Sequence, residues 1–180
     1  KRIEALPEAI KNHSLAQRMK ELAERKMRTE PQAEGSSIVP HFIDVAQMDV
    51  TGKEVSLKSV VETEGNRYVL LDFWASWCGP CMREMPVLKE AYEKYHSQGF
   101  EIYGVSLDDN KERWQAALNH LQLEWVNVSQ LKGFDCEAVK EYVVEAIPTN
   151  FLIDCKTGVI VAKNLRGEQV LETLKEKMGE

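Results

Sequence analysis

At 180 residues the chain is long enough for one full domain and an extension. Its 43% hydrophobic and 29% charged residues are ordinary globular usage, which excludes a disordered, collagen-like or mainly membrane-embedded chain. A net charge of −6 offers no overall field for nucleic-acid phosphates, so no nucleic-acid partner is expected.

No apolar run reaches the roughly 18 residues of a membrane span. Four cysteines are too few to build a disulfide scaffold, so they are read for chemistry. The chain starts at Lys1-Arg2 with no signal-peptide pattern after it, which leaves open a removed leader or a longer protein. Membrane association is expected only through a segment upstream of Lys1.

Residues 1–34 carry eight Lys/Arg against six Glu, unlike the acidic remainder. Apolar residues at Ile3, Leu6, Ile10, Leu15, Met19, Leu22 and Met27 have irregular helical spacing, and Pro7 suits a first turn. A helical extension and linker over 1–34 is expected, either packing on a neighbour or ending an upstream domain. A second domain follows over 35–180.

In that domain Phe42–Val45 and Val55–Leu57 flank a Thr51-Gly52 turn and predict a hairpin. Tyr68–Trp74 is a near-continuous apolar run, as in a strand buried on both faces. A long helical pattern through Met82, Met85, Leu88, Tyr92 and Tyr95 ends near Gly99, and Pro86 predicts a kink in it. Glu101–Leu107 predicts a strand, and Asp108-Asp109-Asn110 then caps a helix bearing Trp114 and Leu118. Trp125–Val128 reads as a strand and Cys136–Val144 as a helix. Asn150–Ile153 with Val159–Val161 forms a second hairpin, and Gly167–Met178 a last helix. This alternation predicts an α/β fold with a central mixed, mostly parallel sheet and helices on both faces.

The sharpest feature is Trp77-Cys78-Gly79-Pro80-Cys81, between the buried strand and the long helix. At a helix start, unpaired N–H groups and the positive dipole end favour a Cys78 thiolate. Cys81, three residues on, shares that helix face and lies within disulfide reach. Gly79-Pro80 tightens the turn, and Pro80 costs little where first-turn N–H groups lack helical partners. An exposed activated thiol beside a sheltered one is a two-electron exchange device: Cys78 attacks a disulfide and Cys81 resolves the mixed disulfide. A zinc site would need a second cysteine pair, but Cys136 and Cys155 are single, so no metal ligand is assigned.

The segment Val69–Cys81 resembles the active-site segment of thioredoxins. The wider pattern resembles the TlpA/ResA branch of periplasmic thiol–disulfide oxidoreductases, through Asp49–Leu57, Cys81–Pro86, Phe100–Asp108, Ala146–Thr149 and Phe151–Asp154. The resemblance implies a thioredoxin-like fold with an N-terminal β-hairpin, and the helix expected over 1–34 is an addition to it. It also implies a redox-active Cys78–Cys81 disulfide in place of any cofactor, protein disulfide clients, an upstream thiol reductant, and a periplasmic or cell-envelope location. The Gly-Pro dipeptide resembles the reducing thioredoxins, so reduction is the expected direction.

Asp72, a carboxylate inside an apolar run, is expected to have a raised pKa. The resemblance puts it where thioredoxins keep a buried acid behind the resolving cysteine, able to accept the Cys81 proton. The same likeness implies a cis Ile147-Pro148 bond facing the dithiol, with the Ile147 backbone free to pair with an extended substrate. Trp77 walls the site, and Gly79 and Pro80 complete the substrate-facing turn, whereas Trp74 is expected in the core. Arg83 and Glu84 read as solvated or paired surface charges. Cys136 and Cys155 read as small apolar filler, with a disulfide between them left open.

Two other functions compete. A peroxidase of the peroxiredoxin kind needs Thr or Ser three residues before its cysteine and Pro seven before it, where this chain has Ala75 and Leu71. A non-catalytic partner-binding module predicts an ordinary Cys78 thiol.

Overall fold

The computed structural model describes residues 40–179, so the helix and linker expected over 1–34 lie outside the described residues. The chain runs β1 (Ala46–Asp49), β2 (Glu54–Ser56), α1 (Leu57–Val61), β3 (Tyr68–Trp74), α2 (Gly79–Tyr95), β4 (Phe100–Ser106) and α3 (Lys111–Leu121). It continues through β5 (Val126–Ser129), α4 (Glu137–Glu141), β6 (Thr149–Asp154), β7 (Val159–Lys163) and α5 (Glu168–Met178).

These strands form one seven-stranded sheet in the order β2-β1-β5-β4-β3-β6-β7. β3 is an interior strand, between β4 and β6, and buried from Val69 to Trp74, as its apolar run implies. Each large side chain sequestered there contributes roughly 1.5–3 kcal/mol. Alternation sends Phe73 to one face, where it meets Tyr142 just beyond α4. Asp72 goes to the other face, under α2 and within reach of the Glu84 charge. Helices therefore cover both faces, and α2 packs against α5.

The sheet is mixed, but the expectation of a mostly parallel one is corrected. Only β3/β4 and β4/β5 pair parallel, whereas β1/β2, β1/β5, β3/β6 and β6/β7 are antiparallel. The βαβ alternation spans only β3 to β5; hairpins supply both edges, and a hairpin is antiparallel by construction.

The first hairpin turns where expected. The Asp49 carboxylate accepts the Thr51 N–H, the Thr51 hydroxyl and the Lys53 N–H at 2.8, 2.6 and 3.0 Å. Its strands are displaced, however. Phe42–Val45 is an extended lead-in, where the Tyr142 hydroxyl accepts the Ile43 N–H and donates to the Ile43 carbonyl at 2.8 and 2.6 Å. Leu57 is helical rather than extended, because the Ser56 hydroxyl caps α1 by accepting the Ser59 N–H at 3.0 Å. The helix expected over Cys136–Val144 is only α4, since the chain leaves it at Tyr142 and turns left-handed at Val143, with φ 50°. Helix α2 runs through Pro86, and after a 3-10 turn over His96–Gln98 the left-handed Gly99 ends it as expected.

Candidate active site

Helix α2 starts on Cys78, and this fixes the site. Cys78 is its N-cap, with extended backbone, and its Sγ accepts the Cys81 N–H at 3.2 Å. Pro80 sits in the first turn, where no intrahelical N–H is lost. Cys78 and Cys81 are joined in a disulfide with their Cα atoms 5.2 Å apart. Cys81 is 1% exposed and Cys78 only 5%, so Cys78, expected as an exposed thiol, is largely covered in the oxidised site.

The Ile147-Pro148 peptide bond is cis, and the Ile147 carbonyl oxygen lies 3.8 Å from Cys78 Sγ. In the disulfide that sulfur has no proton to donate, so the approach is a packing contact. The turn before Cys78 presents Trp77, 56% exposed, whose ring lies 6.5 Å from that of the exposed Phe134 between β5 and α4. Trp74 is in the core, its indole N–H donating to Asn127 Oδ1 at 3.1 Å.

Asp72 is 3% exposed, and among the described residues nothing hydrogen-bonds its carboxyl. Burial, with a smaller push from the Glu84 charge, raises its pKa to about 7 against the opposing pull of Arg166. At neutral pH it can hold or release a proton.

Several site residues carried no readable signal in the sequence. The Arg166 guanidinium donates to the Pro148 carbonyl and, at 2.9 Å, to the Leu165 carbonyl. Glu84, read as a surface charge, instead accepts the Gly167 N–H at 2.8 Å. Buried Asn150 grips the Leu165 N–H and carbonyl at 2.9 Å each. Asp108, read only as part of a capping run, is 1% exposed. Its carboxylate accepts the Ser76 hydroxyl, the Ser76 N–H at 3.0 Å and the Ser106 hydroxyl at 2.5 Å, which anchors the turn before Cys78. Cys136 and Cys155 are both free, so the second disulfide left open by the sequence is absent, and Gln47 Nε2 reaches the buried Cys136 sulfur at 3.8 Å.

A thioredoxin-type fold with a dithiol at the start of its long helix defines a thiol–disulfide oxidoreductase. The comparisons agree. The model of the AhpC/TSA family matches residues 38–163, and the chain belongs to that family. It is 34% identical over 137 residues to the thiol-disulfide oxidoreductase ResA of Bacillus thuringiensis subsp. konkukian, covering 76% of this chain and 72% of that protein. Among solved structures it resembles the thioredoxin domain of a thiol-disulfide oxidoreductase from Bacteroides vulgatus, at 30% identity and a TM-score of 0.71, over 81% of this chain and all of that one. A thiol-disulfide oxidoreductase from Bacteroides fragilis is 33% identical with a TM-score of 0.68, over 76% of this chain and 98% of the other.

Proposed function

We propose that Cys78 and Cys81 reduce disulfides of extended protein clients, and that an upstream thiol reductant restores the dithiol. The observation that carries this is the approach of the Ile147 carbonyl to within 3.8 Å of the Cys78 sulfur. The Cys78 thiolate attacks one client sulfur; a Cys78–client bond forms, the client disulfide breaks, and the other client sulfur leaves as thiolate. Cys81 gives its proton to Asp72 and attacks Cys78 Sγ. The mixed disulfide breaks, the Cys78–Cys81 disulfide forms, and the second client sulfur leaves. Two electrons pass to the client, and both of its thiolates take up protons.

Each part of the site has a task in this scheme. The Cys81 N–H that donates to Cys78 Sγ, at the positive end of α2, supports its role as the attacking thiolate. The Ile147 backbone would pair with a client strand beside Pro148, with Trp77, Gly79 and Pro80 forming the remaining contact surface. No further cofactor is required, because the cysteine pair itself carries the electrons. Work of this kind belongs in an oxidising compartment, the periplasm or cell envelope. Among the described residues no helix is long and apolar enough to cross a membrane. Peroxide reduction is disfavoured, since buried Ala75 and Leu71 stand where that chemistry needs a hydroxyl and a proline.

The test is client trapping with Cys81→Ser, which is expected to accumulate mixed disulfides on Cys78, together with insulin turnover, expected to vanish in Cys78→Ser. Normal turnover in the latter variant sinks the proposal.

A further inference from the structure

We infer that Arg166 is a positioning residue that ties the cis-proline loop in front of Cys78 to the buried carboxyl of Asp72. The inference deepens the proposed function and rests on its reading of Asp72 as the proton acceptor.

The corner between β7 and α5 is built to hold this side chain. Asn164 N–H donates to the Asn150 carbonyl at 2.8 Å, and the Asn150 side chain closes two 2.9 Å hydrogen bonds on the Leu165 backbone. Asn150 is itself 3% exposed, so the Leu165–Gly167 backbone is fixed to β6. One residue on, Gly167 N–H holds the Glu84 carboxylate of α2. Between these anchors the planar Arg166 fork donates to two carbonyls, those of Leu165 and Pro148. A guanidinium suits this task and an ammonium does not, because two donors are needed in a fixed plane.

The second half of the link is electrostatic. The neighbours of Asp72 across the strands are Gly104 on β4 and Asn150 on β6, neither of which titrates. From the covering helix comes the Glu84 carboxylate, and from the corner the Arg166 cation. Among the described residues, Arg166 is therefore the cation whose charge acts on Asp72, opposing that of Glu84. Its removal leaves the Pro148 carbonyl without this donor and Asp72 without its opposing charge.

The experiment uses the full chain with Arg166→Met, Arg166→Lys and Asp72→Asn. With the free, half-buried thiol removed by Cys155→Ser in every chain, Ellman's reagent gives two thiol-release phases, attack by Cys78 and resolution by Cys81, and insulin turnover with dithiothreitol gives KM and kcat. In the wild type the second phase is expected to accelerate as pH rises through the Asp72 titration, and Asp72→Asn is expected to lose that dependence. Arg166→Met is expected to move the midpoint up by roughly one pH unit and to raise KM for insulin. Arg166→Lys is expected to keep the midpoint while raising KM, because one ammonium cannot serve both carbonyls in plane.

A profile that depends on Asp72 but is unmoved in Arg166→Met, with unchanged KM in both variants, overturns the inference and leaves the Asp72 reading intact. A profile unaffected by Asp72→Asn overturns both. Should the Met variant fail to fold, the KM of Arg166→Lys decides: an unchanged value overturns the link.

Discussion

The carboxylate of Asp108 grips Ser76 twice, through its hydroxyl and its backbone N–H, two residues before the cysteine that starts α2. The same carboxylate accepts the Ser106 hydroxyl at the end of β4. Ser129 continues the chain of contacts, donating to the Ser106 carbonyl at 2.9 Å and accepting the Leu131 N–H at 3.0 Å. The Trp77 turn and the loop that carries Phe134 are thereby fixed to adjacent strand ends. Asp108→Ala strands the buried Ser106 hydroxyl and two half-buried donors of Ser76, and unmet buried groups cost about 1–3 kcal/mol each before relaxation. Urea unfolding is expected to show a loss of about 2–4 kcal/mol for Ala, and a smaller loss for Asn, which keeps one acceptor oxygen. Insulin reduction is expected to fall as the turn loosens. A stable, fully active Asp108→Ala protein contradicts this account.

Gly104 is a second dependency that shows only in three dimensions. A Cβ there would stand 2.5 Å from Asn127 Oδ1 and 3.3 Å from the Trp74 indole nitrogen. Those two atoms already form the buried hydrogen bond between β3 and β5 across β4. Asn127 has little freedom to retreat, because its amide also donates to the Trp125 carbonyl at 3.1 Å. Gly104→Ala is expected to cost about 2 kcal/mol from overpacking and the lost bond. Intrinsic fluorescence of the native state is expected to change, since the Trp74 indole loses its partner. An alanine variant with wild-type unfolding and emission rules this out.

What the sequence reveals divides by the range of the interactions. The Tyr68–Trp74 strand is legible because burial on both faces writes a continuous apolar run. The cysteine pair is legible because its geometry is set by three residues of one helix turn. Arg166 is not, because its partner carbonyl lies 18 residues back and is reached only after β6 and β7 fold together. Asp108 meets Ser76 across 32 residues, so its run reads locally as capping residues and nothing more. The displaced first hairpin has a different cause. Val55-Ser56-Leu57 fits a strand by type, and a single serine hydroxyl turns it into a helix start.

Val143 is a β-branched residue held at φ 50° and 74% exposed, just after α4. Left-handed backbone crowds an L side chain by roughly 1–2 kcal/mol, and little packing compensates at such exposure. Glycine relieves the crowding but has more unfolded-state freedom to lose, which offsets part of the gain. Val143→Gly is therefore expected to stabilise by about 1 kcal/mol, or roughly 3 °C in a calorimetric scan. A lower melting temperature in that variant means that the exposed valine is held by packing rather than strained.

Asp72 makes stability depend on pH near neutrality, and the sign follows from the direction of its shift. Burial raises the folded-state pKa to about 7, so between the ordinary aspartate range and neutrality the folded chain keeps a proton that the unfolded chain has lost. The contribution is whole at acid pH, falls as pH rises through that window, and is gone above it. The gap from the ordinary aspartate value to about 7 corresponds to roughly 4 kcal/mol as an upper bound. Asp72→Asn keeps the shape and removes the titration. It is expected to match the wild type near pH 4 and to exceed its stability by roughly 3–4 kcal/mol near pH 8. The same variant cannot accept the Cys81 proton, so release of the second client thiol is expected to slow at neutral pH while attack by Cys78 continues. Stability curves that stay parallel across this range would show that Asp72 is charged in both states, and the proton-transfer role would fall with them.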